Sequence, residues 1–153
     1  MEKGLLDLHS VLRWLIIIFA ILTLIKGLGG MGGKKPFGKK DKRIAFYLMI
    51  SCDIQLLLGL ALYFMKGWWT VLTGGAAMAS NYNRYFTVEH TVGMLIAIVL
   101  IHIGYAATKK NIPDGSKFKR LFWFTLIAII VILATIPWPG REVARPLLPG
   151  MTA

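Results

Sequence analysis

Cysteine is almost missing from this chain. Its 153 residues include one, Cys52, set inside an apolar run. An intrachain disulfide is therefore excluded, and a lone thiol says little about redox compartment. Histidine is scarce as well: three His and one Cys do not make zinc-finger spacing. Charge is thin, at 16% of residues against 56% hydrophobic, and the mean hydropathy is positive. A soluble domain of this length would carry more charge and shorter apolar runs. No A-x-A-like cleavage site follows the first apolar stretch, which is longer than a typical signal-peptide core, so it reads as a retained helix. No internal repeat and no separate soluble domain is visible. The Gly-rich "GLGGMGG" reads as a turn rather than a phosphate cradle, because no strand precedes it and the P-loop spacing is missing. Ser10 has no Asp–His partner beyond His9, and Cys52 has no His nearby in sequence, so no soluble catalytic constellation forms.

What is present is four long apolar segments. They run about 8–28, 44–64, 88–107 and 121–139. Each has about 18 to 21 residues, enough at ~1.5 Å per residue to cross a ~30 Å hydrocarbon layer. The expected fold is all-α: one domain over 1–153, an integral membrane four-helix up-down bundle.

The net charge of +11 sits beside these segments. Seven Lys or Arg lie between Lys26 and Arg43, and five between Lys109 and Arg120. Alternating helices put both loops on one side, and the positive-inside rule makes that side cytoplasmic. Both termini and the 65–87 loop then face outward. That loop holds Trp68, Trp69, Tyr82 and Tyr85, which suit a membrane–water interface. Trp14 and Trp138 fit the same outer interface, and Trp123 the inner one. The small, polar "TGGAAMASN" between the aromatics is expected to be mobile. Basic loops of this kind attract anionic lipid at about 1 kcal/mol per well-placed side chain. They do not call for nucleic acid.

Seven polar residues interrupt the apolar segments: His9, Arg13, Asp53, Gln55, Glu89, His90 and His102. Ionisable groups in a bilayer cost several kcal/mol each, so they turn inward and find partners. His9 and His90 begin the first and third helices on the same side, at similar depth. Two such imidazoles in a bundle core are the simplest axial pair for heme b. The competing reading is that both are interfacial residues wetted from outside. Arg13, one turn after His9, would pair with a heme propionate or with Glu89. Gly93, Met94, Ala97, Ile101 and Gly104 follow His90 at helical spacing; three are small, so this face should be buried against a neighbour. His102 is twelve residues beyond His90 and about 120° away around the helix, so the two do not share a face. Asp53 lies within about one turn of the depth of His102. A buried Asp53–His102 hydrogen bond would satisfy both, and a proton relay is the other use of that pair.

"LHSVLRWLII", "QLLLGLALYF", "RYFTVEHTVGMLIAIVLIHIG" and "IPWPGRE" resemble small four-helix membrane proteins of the Bacteroidota labelled "cytochrome b" in genomes. The similarity covers nearly the whole chain. Its most specific parts are the His9–Arg13 and Glu89–His90 motifs. The resemblance implies heme and a bacterial inner membrane, with the outward face in the periplasm. This chain departs from that pattern in carrying Asp53 where a His often stands, and in carrying His102. If the helix-two His is a ligand in those proteins, the ligand here has moved to His102 or the site is lost. Three functions follow in order of expectation. The first is a heme b electron-transfer protein or anchor subunit of a respiratory-type complex. The second is a cofactor-free accessory subunit of a larger inner-membrane complex. The third is a small transporter or proton relay using Asp53 and His102. None of these is a stand-alone enzyme.

Overall fold

The computed structural model describes residues 2–151, and all regular structure among them is helical. Expectations about the chain ends that fall on Met1, Thr152 and Ala153 lie outside the described residues. Helix α1 spans Glu2–Gly30 and α2 spans Lys39–Met65. Short α3 (Trp68–Thr73) and a 3₁₀ turn (Ala76–Met78) lead to α4 (Asn81–Arg84). A π-helical stretch, Tyr85–Glu89, joins α4 to α5 (His90–Ala107), and α6 is Asp114–Thr135. Four helices, Glu2–Gly30, Lys39–Met65, Asn81–Ala107 and Asp114–Thr135, are long and apolar enough to cross a membrane.

Helix bounds differ from the sequence expectation where local chemistry intervenes. Helix α6 stops at Thr135, not at 139, because Ile136 precedes Pro137 and is pushed to extended backbone (φ −75°, ψ 134°). It starts at Asp114, so Lys117, Lys119 and Arg120 ride on its first turns rather than in a loop. Helix α2 likewise begins among its lysines at Lys39, where Asp41 Oδ2 accepts the Gly38 N–H at 3.1 Å. The "TGGAAMASN" stretch folds into the end of α3, the 3₁₀ turn and a Ser80 cap, whose hydroxyl accepts the Asn83 N–H at 3.1 Å.

The four long helices form a ring in the order α1, α2, α5, α6, with α6 closing on α1. Lys66 at the end of α2 pairs with Glu2 at the start of α1 at 2.6 Å, which fixes these neighbours antiparallel. Small residues let backbones approach. A methyl on Gly93 would sit 2.5 Å from Thr135 Cγ2, and one on Gly27 would sit 2.8 Å from Phe122 Cβ. The core is aliphatic, built on Ile16, Ala20, Leu48, Cys52, Ala97 and Ile101 with Ala128, Ile129 and Ile132. The perimeter is apolar too: Ile25, Leu28, Leu57, Phe64, Val99 and Ile130 are all more than half exposed. An apolar exterior this continuous needs a non-aqueous surrounding. The chain is a multi-pass membrane protein by this criterion.

One end of the ring carries the Lys/Arg-rich turns. There Asp41, 5% exposed, draws Lys35 to 3.6 Å and Lys26 to 3.9 Å. The other end carries the aromatics and the tail after Thr135.

Candidate functional site

The aromatic end is organised by four residues, "IPWP". Helix α6 ends there with carbonyls that lack their usual donors, because Pro137 and Pro139 have no N–H. Side chains replace them. Trp138 Nε1 donates to Leu133 O at 2.8 Å, and Arg141 donates to the Ala134 and Ile136 carbonyls at 3.2 Å each. The Thr135 carbonyl, whose helical partner would be the missing Pro139 N–H, takes the Tyr85 hydroxyl at 2.6 Å and His90 Nδ1 at 2.8 Å. A carbonyl only accepts, so the His90 proton is on Nδ1 and its Nε2 lone pair is free.

The π-helical stretch sets the approach of His90. Its N–H bonds back to Tyr85 O, five residues earlier, which turns Phe86 and His90 relative to a regular helix. Such π segments are frequent at functional sites. The Phe86 ring lies 5.5 Å from Trp68 and nearly parallel to it, and 4.8 Å from Tyr82. The Arg145 guanidinium stacks over Phe86 at 5.1 Å, so this cluster roofs the helix ends.

Beneath the roof is a cavity of about 470 Å³ bounded by α1, α2, α5, Ile132 of α6 and the tail. This lies within the ~300–1,000 Å³ range of small-molecule sites. His9 and His90 both line it, from helices diagonally opposite in the ring. Their ring centroids are 6.4 Å apart and tilted by 57°. Gly59 of α2 lies across from His9: a Cβ there would come 3.5 Å from its Nε2. The depth match expected from sequence is thus present as a spatial pair within a single cavity.

Arg13 also lines the cavity, but it does not meet Glu89. Its Nη2 donates to Leu147 O at 2.7 Å, and Trp14 Nε1 donates to the same carbonyl at 3.0 Å. Glu89 instead pairs with Arg84 at 2.6 Å on the exposed rim. That is a correction to the Arg13–Glu89 alternative. Its reason is local: the tail folds back over α1 and captures Arg13, while the π-helical stretch leaves Glu89 facing outward. Gln55 Nε2 donates to His9 O at 2.9 Å and ties α2 to the first turns of α1.

His102 and Asp53 meet, with Nε2 and Oδ1 3.1 Å apart. The pair is not buried: the side chains are 42% and 34% exposed. Neither lines the cavity. They bridge α2 and α5 on the ring's perimeter, so the expectation of a buried pair is corrected. The turn of about 120° away from His90 carries His102 past the interior to the helix seam. His102 Nδ1 also donates to Ile98 O at 2.9 Å. Both contacts are hydrogen bonds only if a proton sits between Nε2 and Oδ1. The expected small face of α5 is buried, through Gly93, Ala97, Ile101 and Gly104, with Gly93 and Gly104 against α6.

Could these residues hold a heme? With a metal–imidazole bond of about 2 Å and a ring nitrogen roughly 1.1 Å from its ring centre, two axial ligands have centroids about 6 Å apart. The observed separation is close to that. A carbonyl on the far nitrogen of His90 is the usual arrangement behind a metal-bound imidazole. Arg13 Nε and Gln55 Oε1 are buried without a hydrogen-bond partner among the described residues, so the cavity edge has polar capacity to spare. The donor set fits. No cluster of three or more His, Cys, Asp or Glu of metal-site type occurs among the described residues. Heme needs only two protein donors, since the porphyrin supplies four.

Sequence reading missed the tail, the π-helical stretch and the Thr135 carbonyl. The signal for the last was available: two prolines just after a helix strand its final carbonyls. The chain matches no family model, no curated protein and no solved structure.

Proposed function

We propose that this protein is a membrane b-type cytochrome in which His9 and His90 ligate heme b. It serves as an electron-transfer protein or as the anchor subunit of a respiratory-type complex. The observation that carries this reading is the 6.4 Å separation of two imidazoles inside one cavity. The Thr135 carbonyl supports it by holding the His90 proton on Nδ1. When bound, the heme supplies a one-electron iron couple in a low-dielectric site. The chain's own residues hold the rings, place cations at the aromatic end of the cavity and cover that end with the Trp68–Phe86 roof. The resemblance to Bacteroidota proteins labelled "cytochrome b" agrees. With the Lys/Arg-rich turns in the cytoplasm, the histidine end faces the periplasm across an inner membrane. The basic end then meets anionic lipid.

The test is the visible spectrum of the purified protein, reduced minus oxidised. The proposal expects a Soret shift and an α band, lost or converted in His9→Ala and in His90→Ala but retained in His102→Ala. Heme removed by His102→Ala alone would refute the assignment. A cofactor-free accessory subunit is the second reading. The Gln55–His9 and Arg13–Leu147 contacts favour it, because they join helices and tail without any ligand. A proton relay through Asp53 and His102 is disfavoured by their place on the perimeter, away from the cavity.

A further inference from the structure

Of the four seams in the ring, the one between α2 and α5 is the most loosely packed. Polar contacts clasp it at two points. His102 meets Asp53 toward the basic end, and the Tyr63 hydroxyl donates to Thr87 O at 3.3 Å toward the aromatic end. Asp53 and Tyr63 are ten residues apart on α2, about 15 Å along the axis. Between the clasps the seam is aliphatic. Asp53, Leu56 and Leu60 recur at i, i+3 and i+7 on α2, and His102, Ile98 and Leu95 do so on α5. The antiparallel register fixed by the Asp53–His102 contact sets Leu56 level with Ile98 and Leu60 level with Leu95.

These four aliphatic residues line the cavity. Leu60 and Leu95 are also 40% and 42% exposed on the perimeter. Leu56, Leu60, Leu95 and Ile98 are therefore the cavity's wall along the α2–α5 seam. The cations that line the cavity are Lys3, Lys66 and Arg145 toward the aromatic end and Arg13 one turn beyond His9, against Asp7 as the sole acidic lining residue. Lys66 is engaged by Glu2. Arg13 Nε has no partner.

We propose that the cavity loads sideways, from the bilayer, through the α2–α5 seam. Its ligand is an amphiphile with an apolar body and a carboxylate head, the head resting near Lys3 and Arg145. A body entering between the clasps passes aliphatic side chains, while a carboxylate finds Lys3 and Arg145 at the aromatic end. This goes beyond the heme reading and does not depend on axial ligation. A porphyrin carboxylate and a fatty acid share the required chemistry.

The test uses the full chain in zwitterionic nanodiscs with two probes that need no iron ligand: metal-free protoporphyrin IX, followed by its fluorescence, and palmitate as competitor. Lys3→Gln with Arg145→Gln should raise the protoporphyrin Kd about tenfold, the effect of losing one charge-assisted contact. Leu60→Trp with Leu95→Trp should slow association several-fold. Leu60→Ala with Leu95→Ala should speed it, which keeps the test decisive if the larger residues disturb folding. Displacement by palmitate points to a lipid-derived ligand; binding of the porphyrin without displacement points to a tetrapyrrole. Both outcomes support the site. Unchanged association in the leucine variants would overturn lateral loading, and an unchanged Kd in the charge variant would overturn the head position. Failure of the heme reading looks different: iron porphyrin would give no bis-His spectrum while the metal-free probe still bound.

Discussion

Removing His102 leaves Asp53 on the perimeter of the ring with no partner, and the size of the penalty reports where the pair sits. A fully buried ion pair that loses one member costs about 3–5 kcal/mol. An exposed pair in water is worth about 0.2–1 kcal/mol. The Asp53–His102 bridge is neither, since its side chains are 34% and 42% exposed but the exposure is to an apolar exterior. Polar side-chain contacts between membrane helices couple by about 0.6 kcal/mol on average and about 1.7 kcal/mol at most. A carboxylate left charged at mid-membrane costs about 2.5–3.5 kcal/mol. His102→Ala is therefore expected to destabilise by about 2 kcal/mol, between the usual coupling of such a contact and the full cost of a stranded carboxylate. Asp53→Leu with His102→Leu should be milder than either single change, because no polar group is stranded. Asp53→Asn should be mildest of the single changes. Its amide donates to Nε2 while Nδ1 keeps its bond to Ile98 O, so no extra proton is required. A double-mutant cycle on unfolding in detergent measures the coupling, expected at about 0.6–1.7 kcal/mol. Additivity within about 0.3–0.5 kcal/mol would refute the contact and return His102 to the pool of free ligands.

Gly93→Ala drives a methyl to 2.5 Å from Thr135 Cγ2 and should cost about 1–3 kcal/mol in thermal unfolding, with Thr135→Ser restoring much of it. In intact cells, single-cysteine variants at Lys35 and Ser116 should react with an impermeant thiol reagent only after the inner membrane is breached, as the loop charge predicts. Reaction from outside would invert the orientation.

The four long helices are legible in composition and run length, because the bilayer's thickness dictates how many apolar residues a span needs. The matched depth of His9 and His90 is legible for the same reason: helix starts on one side share a plane. Azimuth is legible as well, and it separates His102 from His90 correctly. Which partner each polar residue finds is not. Arg13 was within reach of Glu89 by depth, yet the tail takes it, and a tail's path depends on contacts far apart in sequence. The burial expected for Asp53 and His102 failed because helical phase fixes a direction, while the ring order α1, α2, α5, α6 decides whether that direction points inward or along a seam. The helix end at Thr135 was readable from Pro137. The chemistry it creates, a carbonyl freed by Pro139 and aimed at His90, was readable only once α5 and α6 were known to be neighbours.

The most direct measurement is pyridine hemochrome and reduced-minus-oxidised absorbance on the wild-type protein beside His9→Ala, His90→Ala and His102→Ala, all purified folded from heme-replete cells. The account predicts one heme b per chain with a low-spin bis-imidazole spectrum, abolished or made high-spin by either of the first two changes and kept by the third. A folded wild-type protein that takes up no heme, or a spectrum indifferent to His9 and His90, would contradict it.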